Sequence, residues 1–134
     1  MGWLMTRSRI FRPDRIRLAW LLVAAGAFAW TEIGRHRYRP WAYRTGVNDF
    51  GLADSVGNLG GIVVQVFATI AMLNPTKEQS FRLAAFLAAG YIAYEFVQPY
   101  LPRGVFDWKD VAATLLGYLF SCVLLWIMWR KTRQ

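Results

Sequence analysis

The sequence predicts an all-α integral membrane protein with four transmembrane helices, arranged as two tandemly repeated helical hairpins with both termini in the cytoplasm. Three observations support this fold class. Apolar residues form 56% of the 134 residues and gather in four blocks, basic residues are unevenly distributed around those blocks, and two patterns from the first half recur in the second. A chain of this length has room for one domain.

The four apolar blocks are the predicted spans. A bilayer core of about 30 Å requires about 17–25 helical residues, and the blocks lack the polar faces that soluble helices present to water. The second block alone would also fit a buried helix, and the first would also fit a cleaved signal peptide. Because four such blocks fill half of the chain, we interpret all as spans and the first as a retained signal-anchor helix. The blocks are Ile16 to Ile33, Asn58 to Leu73, Phe81 to Val97, and Val111 to Trp129.

The basic residues predict the orientation. Counted together with the adjoining ends of the spans, the segments before the first span, between the second and third spans, and after the fourth span carry ten basic residues and two acids, whereas the other side carries six of each. The positive-inside rule therefore predicts a basic cytoplasmic segment 1–15, a transmembrane domain 16–129 and a basic cytoplasmic tail 130–134. The net charge of +8 indicates contact with anionic lipid. It does not indicate nucleic-acid binding, because the basic residues are divided between two sides of a membrane.

The chain repeats itself in two places. Residues Ala24 to Trp30 resemble Ala88 to Tyr94, and an acidic residue follows each stretch. A second pattern recurs at one constant offset and begins each time just before a span. Internal repeats are a common way to build membrane folds, so spans one–two and three–four are predicted to form similar hairpins. The second pattern pairs Phe50, Asp54, Asn58, Leu59 and Gly61 with Phe106, Asp110, Thr114, Leu115 and Gly117.

Small and polar residues at helical spacing predict the packing faces. Such faces let membrane helices approach closely, so spans two and four are predicted to pack at the bundle centre. For Asp54 and Asp110, capping of a helix N-terminus is an equally good interpretation. The predicted faces are Asp54, Asn58, Gly61 and Gln65 with the GxxxG pair Gly57 and Gly61 on span two, Ala85, Ala89 and Ala93 on span three, and Asp110, Thr114, Gly117 and Ser121 on span four.

Ionisable side chains are concentrated at the outer ends of the spans. Charge near membrane depth is costly, so these residues indicate either a ligand site or an internal ion-pair network that holds the loops on the helix ends. The equal numbers of acids and bases favour the network, and both interpretations stay open. The candidate ligand-binding residues are Glu95, Gln98, Arg103, Asp107, Asp110, Thr114, Glu32, Arg35, Arg39, Arg44, Asp54 and Asn58.

One pattern in the second half is specific. It runs Glu95-Phe96-Val97-Gln98, then Pro102-Arg103, then Asp107, Asp110, Thr114 and Gly117. It resembles the second half of the VanZ-like family, with Thr114 in place of the usual asparagine. The first-half motif of that family is matched by Asp54 and Gly57, whereas Ser55 and Asn58 stand where the family often has lysine and histidine.

The resemblance covers about residues 16–129 in layout. It implies a four-to-five-span protein of the bacterial cytoplasmic (inner) membrane and cell envelope. The best-known family member is linked to low-level resistance to a glycopeptide antibiotic, and the resemblance implies no particular biochemical activity.

Other chemistries find little support in the residues. His36 is the only histidine and Cys122 the only cysteine, so the usual zinc sites cannot form within one chain. No metal or cofactor is predicted, and no catalytic residue is identified.

Three functions are compatible with the sequence. In the first, the outer polar layer recognises head groups of anionic lipids or lipid-linked cell-wall precursors, with arginines on phosphate. In the second, the chain is a structural or accessory subunit of a larger membrane protein complex. In the third, the least supported, it is an enzyme on lipid-linked substrates with Glu95 or an aspartate as general base. The predicted partners are accordingly membrane lipids, such precursors, or other membrane subunits.

Overall fold

The computed structural model describes residues 15–131, and over that range the chain is helical with no β-strand. Helix α1 (Arg15–Ile33) continues through a π-helical segment (Gly34–Tyr38) into α2 (Arg39–Thr45). The three other long helices are α3 (Leu52–Leu73), α4 (Lys77–Val97), which runs into a 3₁₀ turn at Gln98–Tyr100, and α5 (Trp108–Lys131). Most of the predicted basic N-terminal segment and the end of the predicted tail lie outside the described residues.

Four helical segments are long and apolar enough to cross a membrane, as the apolar blocks predict. Each is longer than its block, because the ends carry polar residues that hydropathy alone assigns to loops. The largest difference is in the first segment, Arg15–Thr45, which continues twelve residues beyond the predicted span Ile16 to Ile33. The arginines between residues 35 and 44 therefore lie on a continuous helical rod.

The helix termini are set by short polar side chains. The carboxylate of Asp49 accepts hydrogen bonds from the N–H groups of Gly51 (3.0 Å) and Ala53 (2.8 Å) and so caps the start of α3. Asp107 accepts from the Lys109 N–H (2.8 Å) at the start of α5, and Thr76 forms a capping box with Gln79 at the start of α4. Capping therefore falls to Asp49 and Asp107, and not to Asp54 and Asp110.

Helix α3 lies at the centre of the bundle. It packs against α1 on one side and α5 on the other, and α4 contacts both α5 and α3. The core combines large apolar side chains of α3 with those of its neighbours; the rings of Trp20 and Phe67 stack with centroids 5.7 Å apart. The fully buried apolar side chains include Ile62, Val66, Ile70 and Leu125.

Glycines permit the closest approaches. A Cβ on Gly117 would collide with the Leu59 carbonyl oxygen, so α5 and α3 touch through backbone there. A Cβ on Gly60 would collide with Thr31 of α1, whereas one on Gly61 would lie 3.4 Å from the Tyr91 hydroxyl, an ordinary contact. The close contact of spans two and four is thus present, but Gly60, and not the GxxxG pair, brings α1 and α3 together.

The predicted packing stripe of α4 is wrong. Ala85, Ala89 and Ala93 are exposed, whereas Ala84 and Ala88 are buried. The buried face continues one turn at a time to Tyr91 and Glu95. The buried face differs from the predicted one by one residue, because α4 is rotated so that Glu95 faces α3 and Ala85, Ala89 and Ala93 do not.

Candidate functional site

Four carboxylates, three on helices and one in the segment before α5, lie at the end of the bundle that carries segments 46–51 and 98–107. This end is called the site end below. Glu95 is in the last turn of α4, Asp54 in the first turn of α3, and Asp110 in the first turn of α5, which Asp107 precedes. Glu95 and Asp110 are near enough to interact through their charges, and Asp107 interacts with both. The up-and-down path of the chain places these residues at one level.

Glu95 is the most deeply buried acid of this group, with 3% of its surface exposed. Its Oε1 accepts a hydrogen bond from the Asn58 amide at 3.2 Å, and its Oε2 has no hydrogen-bond partner. The hydroxyl of Thr114, which is fully buried one turn below Asp110, also has none. A buried polar atom left unpaired costs about 1–3 kcal/mol, and more when it is charged. The site end therefore has hydrogen-bonding capacity that the chain itself does not use.

Ser55 lies beside Asp110 on the adjoining helix. Its hydroxyl approaches the Asp110 carboxyl, but without the geometry of a regular hydrogen bond. Ser55 itself is buried. Asp110 thus faces a hydroxyl on α3, one turn away from the Glu95–Asn58 contact.

The seam between α3 and α4 connects this polar group to an apolar groove. Asn58 meets Glu95, and Gly61 meets Tyr91 one turn further from the site end. Next along the seam is a groove of about 440 Å³ lined by Gln65, Phe86, Leu87, Gly90, Tyr91 and Tyr94. Its exposed lining is almost entirely apolar apart from the tyrosine hydroxyls and Gln65. The polar group and the apolar groove therefore follow one another along the contact between α3 and α4.

Arg39 and Tyr43 of α2 hold Asp54. The Arg39 guanidinium forms an ion pair with Asp54 at 3.4 Å, the Tyr43 hydroxyl donates to the same carboxylate oxygen, and Arg39 donates to Tyr43 at 3.2 Å. Arg39 also interacts with Asp110 through its charge, without an ion pair. This network lies at the exposed rim, where an isolated ion pair adds little stability.

Glu32, Arg35 and His36 form a separate group on the first rod. Glu32 contacts Arg35 at 3.7 Å and His36 at 3.1 Å, and all three are at least partly exposed. The Arg35 guanidinium lies over Gly57 of α3, where an added Cβ would come within 2.9 Å of it. Arg35 thus packs across the face of α3, while Glu32 pairs locally.

Arg103 occupies a strained turn. The Gly104 N–H donates to the Leu101 carbonyl at 3.0 Å, Pro102 takes the second position, and Arg103 has a φ of +64° at the third. This is the pattern of a type II turn, whose third position favours glycine. Within residues 15–131, neither Arg103 nor Arg44 makes an ion pair. The Gln98 backbone carbonyl accepts from Leu101 and leaves no room for a side chain at Gly104.

The structure therefore divides the twelve candidate residues. It brings together Glu95, Asp107, Asp110, Thr114, Asp54, Asn58 and Arg39, and it leaves Glu32 with Arg35, and Arg44, Gln98 and Arg103, outside that group. Tyr43 and Ser55 join the group although the sequence did not single them out as site residues. Tyr43 follows Arg39 by four residues, about one helical turn, and Ser55 directly follows Asp54. This spacing is the signal in the sequence that could have identified them.

Asp49 and Tyr38 are a second pair that sequence reasoning missed. The Tyr38 hydroxyl donates to the Asp49 carboxylate at 2.9 Å and so ties the π-helical segment to the start of α3. Desolvation raises the pKa of the Asp49 carboxyl, but hydrogen bonds from the Ala53 N–H, the Tyr38 hydroxyl and the Gly51 N–H outweigh it and hold the pKa below its ordinary value.

The carboxylate oxygens at the site end are hydrogen-bond acceptors, so they suit a ligand that donates hydrogen bonds. Among residues 15–131, no group of three or more His, Cys, Asp or Glu side chains is arranged to hold a metal ion. Comparison of the chain with protein-family models, curated proteins and solved structures finds no match. The site is therefore interpreted from its own residues.

Proposed function

We propose that the chain is a VanZ-like, non-catalytic protein of the bacterial inner membrane whose site end recognises the head group of an anionic lipid or a lipid-linked cell-wall precursor. The observation that carries the proposal is the Glu95 carboxylate, which is buried at the site end with Oε2 unpartnered. A buried acceptor of this kind is costly unless a ligand or another donor satisfies it.

Phosphate recognition falls to the arginines. Arg39 lies beside the carboxylates, while Arg35, Arg44 and Arg103 lie at the same end of the bundle outside that group. Guanidinium binds phosphate oxygens with two parallel hydrogen bonds, so we assign all four arginines to the phosphate. Asp54 orients Arg39 through the ion pair at 3.4 Å, and Glu32 contacts Arg35 at 3.7 Å. In this arrangement, the acids position the arginines, and the arginines contact the ligand.

Orientation and repeat are part of the same proposal. The excess of basic residues on the termini and on the turn between α3 and α4 supports cytoplasmic termini, so the site end faces outward. Asp54 and Asp110 occupy the first turns of α3 and α5. This equivalence supports two tandem hairpins.

Arg103 offers a clean first test. Because its positive φ favours glycine, the variant Arg103→Gly removes the guanidinium and relieves backbone strain of about 1–2 kcal/mol. We expect the variant to accumulate normally in the membrane and to co-purify with several-fold less phosphate-bearing lipid than the parent, because one charge-assisted contact is lost. The measurement is mass spectrometry of lipids retained after extraction in mild detergent.

Arg82→Ala is the matched control, because Arg82 pairs with Glu78 at the opposite end of the bundle. Retained lipid should be unchanged in this variant. If the parent protein retains lipids in the proportions of the bulk membrane, head-group recognition is wrong. Glycopeptide susceptibility of the expressing strain gives a second readout, in which Arg103→Gly should resemble the strain without the protein.

A role as subunit of a larger membrane complex is the second candidate. It is favoured by Gln65, whose side chain is exposed well inside α3, seven residues beyond Asn58. Amide side chains within the bilayer commonly form hydrogen bonds with a neighbouring helix. The experiment in the next subsection separates a lipid in this groove from a partner helix.

A further inference from the structure

We propose that the head group bound at the site end carries a primary ammonium group, held by Glu95 and Asp110, and that an acyl chain of the same lipid lies in the groove between α3 and α4. The inference rests on the proposed function and deepens it. The ligand would then carry both an anionic phosphate, at the arginine rim, and an ammonium group, below it. Such a head group is zwitterionic, or anionic overall where it carries further phosphates, as a lipid-linked precursor can.

The distribution of counter-charges points to a cation. Asp54 forms an ion pair with Arg39. Asp107 has no counter-charge among the ion pairs of residues 15–131, but its carboxylate accepts the backbone N–H of Lys109 at the start of α5 and is thereby engaged in capping that helix. Glu95 and Asp110 remain, and within residues 15–131 neither makes an ion pair. Two neighbouring carboxylates in a poorly solvated site repel each other. A ligand cation placed between them removes that repulsion.

The acceptors match an ammonium in number and size. An ammonium group has three N–H donors and accepts no hydrogen bond. The Glu95 Oε2, the Asp110 carboxylate and the Thr114 hydroxyl are three acceptors on two helices, and two of these atoms have no partner within the chain. Glu95 and Thr114 are both almost completely enclosed, which favours a compact donor over a planar guanidinium.

The adjoining groove identifies the ligand as a lipid. The contacts Asn58–Glu95 and Gly61–Tyr91 define one antiparallel seam, and the groove of about 440 Å³ continues it. Gln65 lies about 10 Å from Asn58 along α3 at the helical rise of 1.5 Å per residue. A polar group followed by an apolar groove at membrane depth fits one amphipathic molecule, with its head at Glu95 and its chain beside Gly90.

The test is lipid competition on the purified full chain. The protein is reconstituted in phosphatidylcholine nanodiscs containing equal amounts of phosphatidylethanolamine and its N-acetylated derivative, which keeps the phosphate and lacks the ammonium. Native mass spectrometry then counts the lipids retained on the protein. We expect a preference for the amine of about tenfold, which corresponds to ~1.4 kcal/mol.

Two pairs of variants assign the two parts of the site. Glu95→Gln keeps the shape of the side chain and should reduce the amine preference to about one, whereas Glu78→Gln, on the same helix at the opposite end, should leave it unchanged. Gly90→Leu fills the groove and should reduce retention of both lipids several-fold. Its control is Gly26→Leu on α1, because a Cβ at either glycine meets nothing within 4 Å.

Each contrary outcome is distinct. Equal retention of the two lipids, both lost in Arg103→Gly, would overturn the ammonium inference and leave head-group recognition standing. Retention insensitive to Arg103 and Glu95 alike would overturn both proposals. A higher-mass protein complex that Gly90→Leu dissociates, with lipid retention unchanged, would assign the groove to a partner helix.

Discussion

Asp49 shows how one side chain can fix an element boundary. Its carboxylate accepts from two backbone N–H groups at the start of α3 and from the Tyr38 hydroxyl. It therefore caps one helix and holds the preceding rod against it. Glu95 is the opposite case, because the fold buries its carboxylate and leaves one oxygen without a partner.

Replacing Asp49 by asparagine should make the stability of the protein less dependent on pH in the acid range. Because folding lowers the pKa of this carboxyl, its contribution to stability is fully present above its ordinary value of 3.8 and is lost as the pH falls further, through the folded-state value. The parent should therefore exceed Asp49→Asn in thermal stability from pH 7 to about 5, and the difference should shrink below about pH 4.

The measurement is the unfolding temperature of both proteins in detergent across that range. The difference between them removes the contributions of the other carboxylates, which titrate in both. A difference that grows on acidification would contradict the assigned role of Asp49.

At the scale of elements, the contact of α3 with α5 depends on Gly117. There is no room for a methyl group between its Cα and the Leu59 carbonyl oxygen, and the Ile62 side chain closes the other side. Backbone cannot move aside as a flexible side chain can. The two helices would have to separate locally to admit a larger residue.

Gly117→Ala should lower the stability of the protein by about 1–3 kcal/mol, the usual cost of overpacking. Gly26→Ala is the matched substitution on α1, where nothing lies within 4 Å, and it should be neutral or slightly stabilising because alanine favours helix. Denaturant unfolding in mixed micelles measures both. Equal stability of the two variants would mean that α3 and α5 do not touch at Gly117.

The presence of the long helices was easier to predict from the sequence than their buried faces or the residues at which they end. Long apolar blocks identify spans, because hydropathy measures the cost of burying a segment in lipid. Alanine pairs such as Ala84-Ala85 fit two registers equally, so the alanines alone could not select the buried face of α4. Glu95, spaced seven residues from Ala88, marks the buried face correctly. The helical segment from Gly34 to Thr45 was not predicted from the sequence. Its charged residues disfavour burial in lipid, but they do not prevent the segment from being helical.

The candidate site was predictable in part, for similar reasons. Acids at the first turn of α3, the last turn of α4 and the first turn of α5 must meet if hairpins alternate in direction, so Asp54, Glu95 and Asp110 come together. Rotation about each helix axis is not set by this argument. This rotation decides that Tyr43 of α2 reaches Asp54. Arg103 stands apart because it lies in the turn Leu101–Gly104, whose path the argument does not set either.

At the scale of the whole molecule, orientation is the property that gives the site its side of the membrane. Four helices are long and apolar enough to cross a membrane, and an even number of crossings would place both termini on one side. The proposed orientation, with that side in the cytoplasm, follows from the positive-inside rule and is a prediction to be tested. In a Cys122→Ala background, Val47→Cys should react with a membrane-impermeant maleimide in intact cells, because Val47 lies exposed at the site end.

Glu78→Cys, exposed at the opposite end, should react only after the membrane is permeabilised. The two positions control for each other, since each is expected to be reactive in one condition and protected in the other. The reverse labelling pattern would mean that the orientation is inverted and that the carboxylates of the site end lie on the cytoplasmic side.

The central position of α3 has a consequence for biogenesis. If the four helices cross a membrane and insert in order, α3 enters the bilayer with only α1 as a neighbour. It then carries Asn58 and Gln65 without α4, which supplies Glu95 to Asn58 and the other wall of the groove beside Gln65. Until then, these amides face lipid or the insertion machinery, at an energetic cost. A chain that stops after the first hairpin would leave the Asn58 amide permanently without Glu95, its hydrogen-bond acceptor. Release of α3 from the insertion machinery is therefore expected to await the second hairpin.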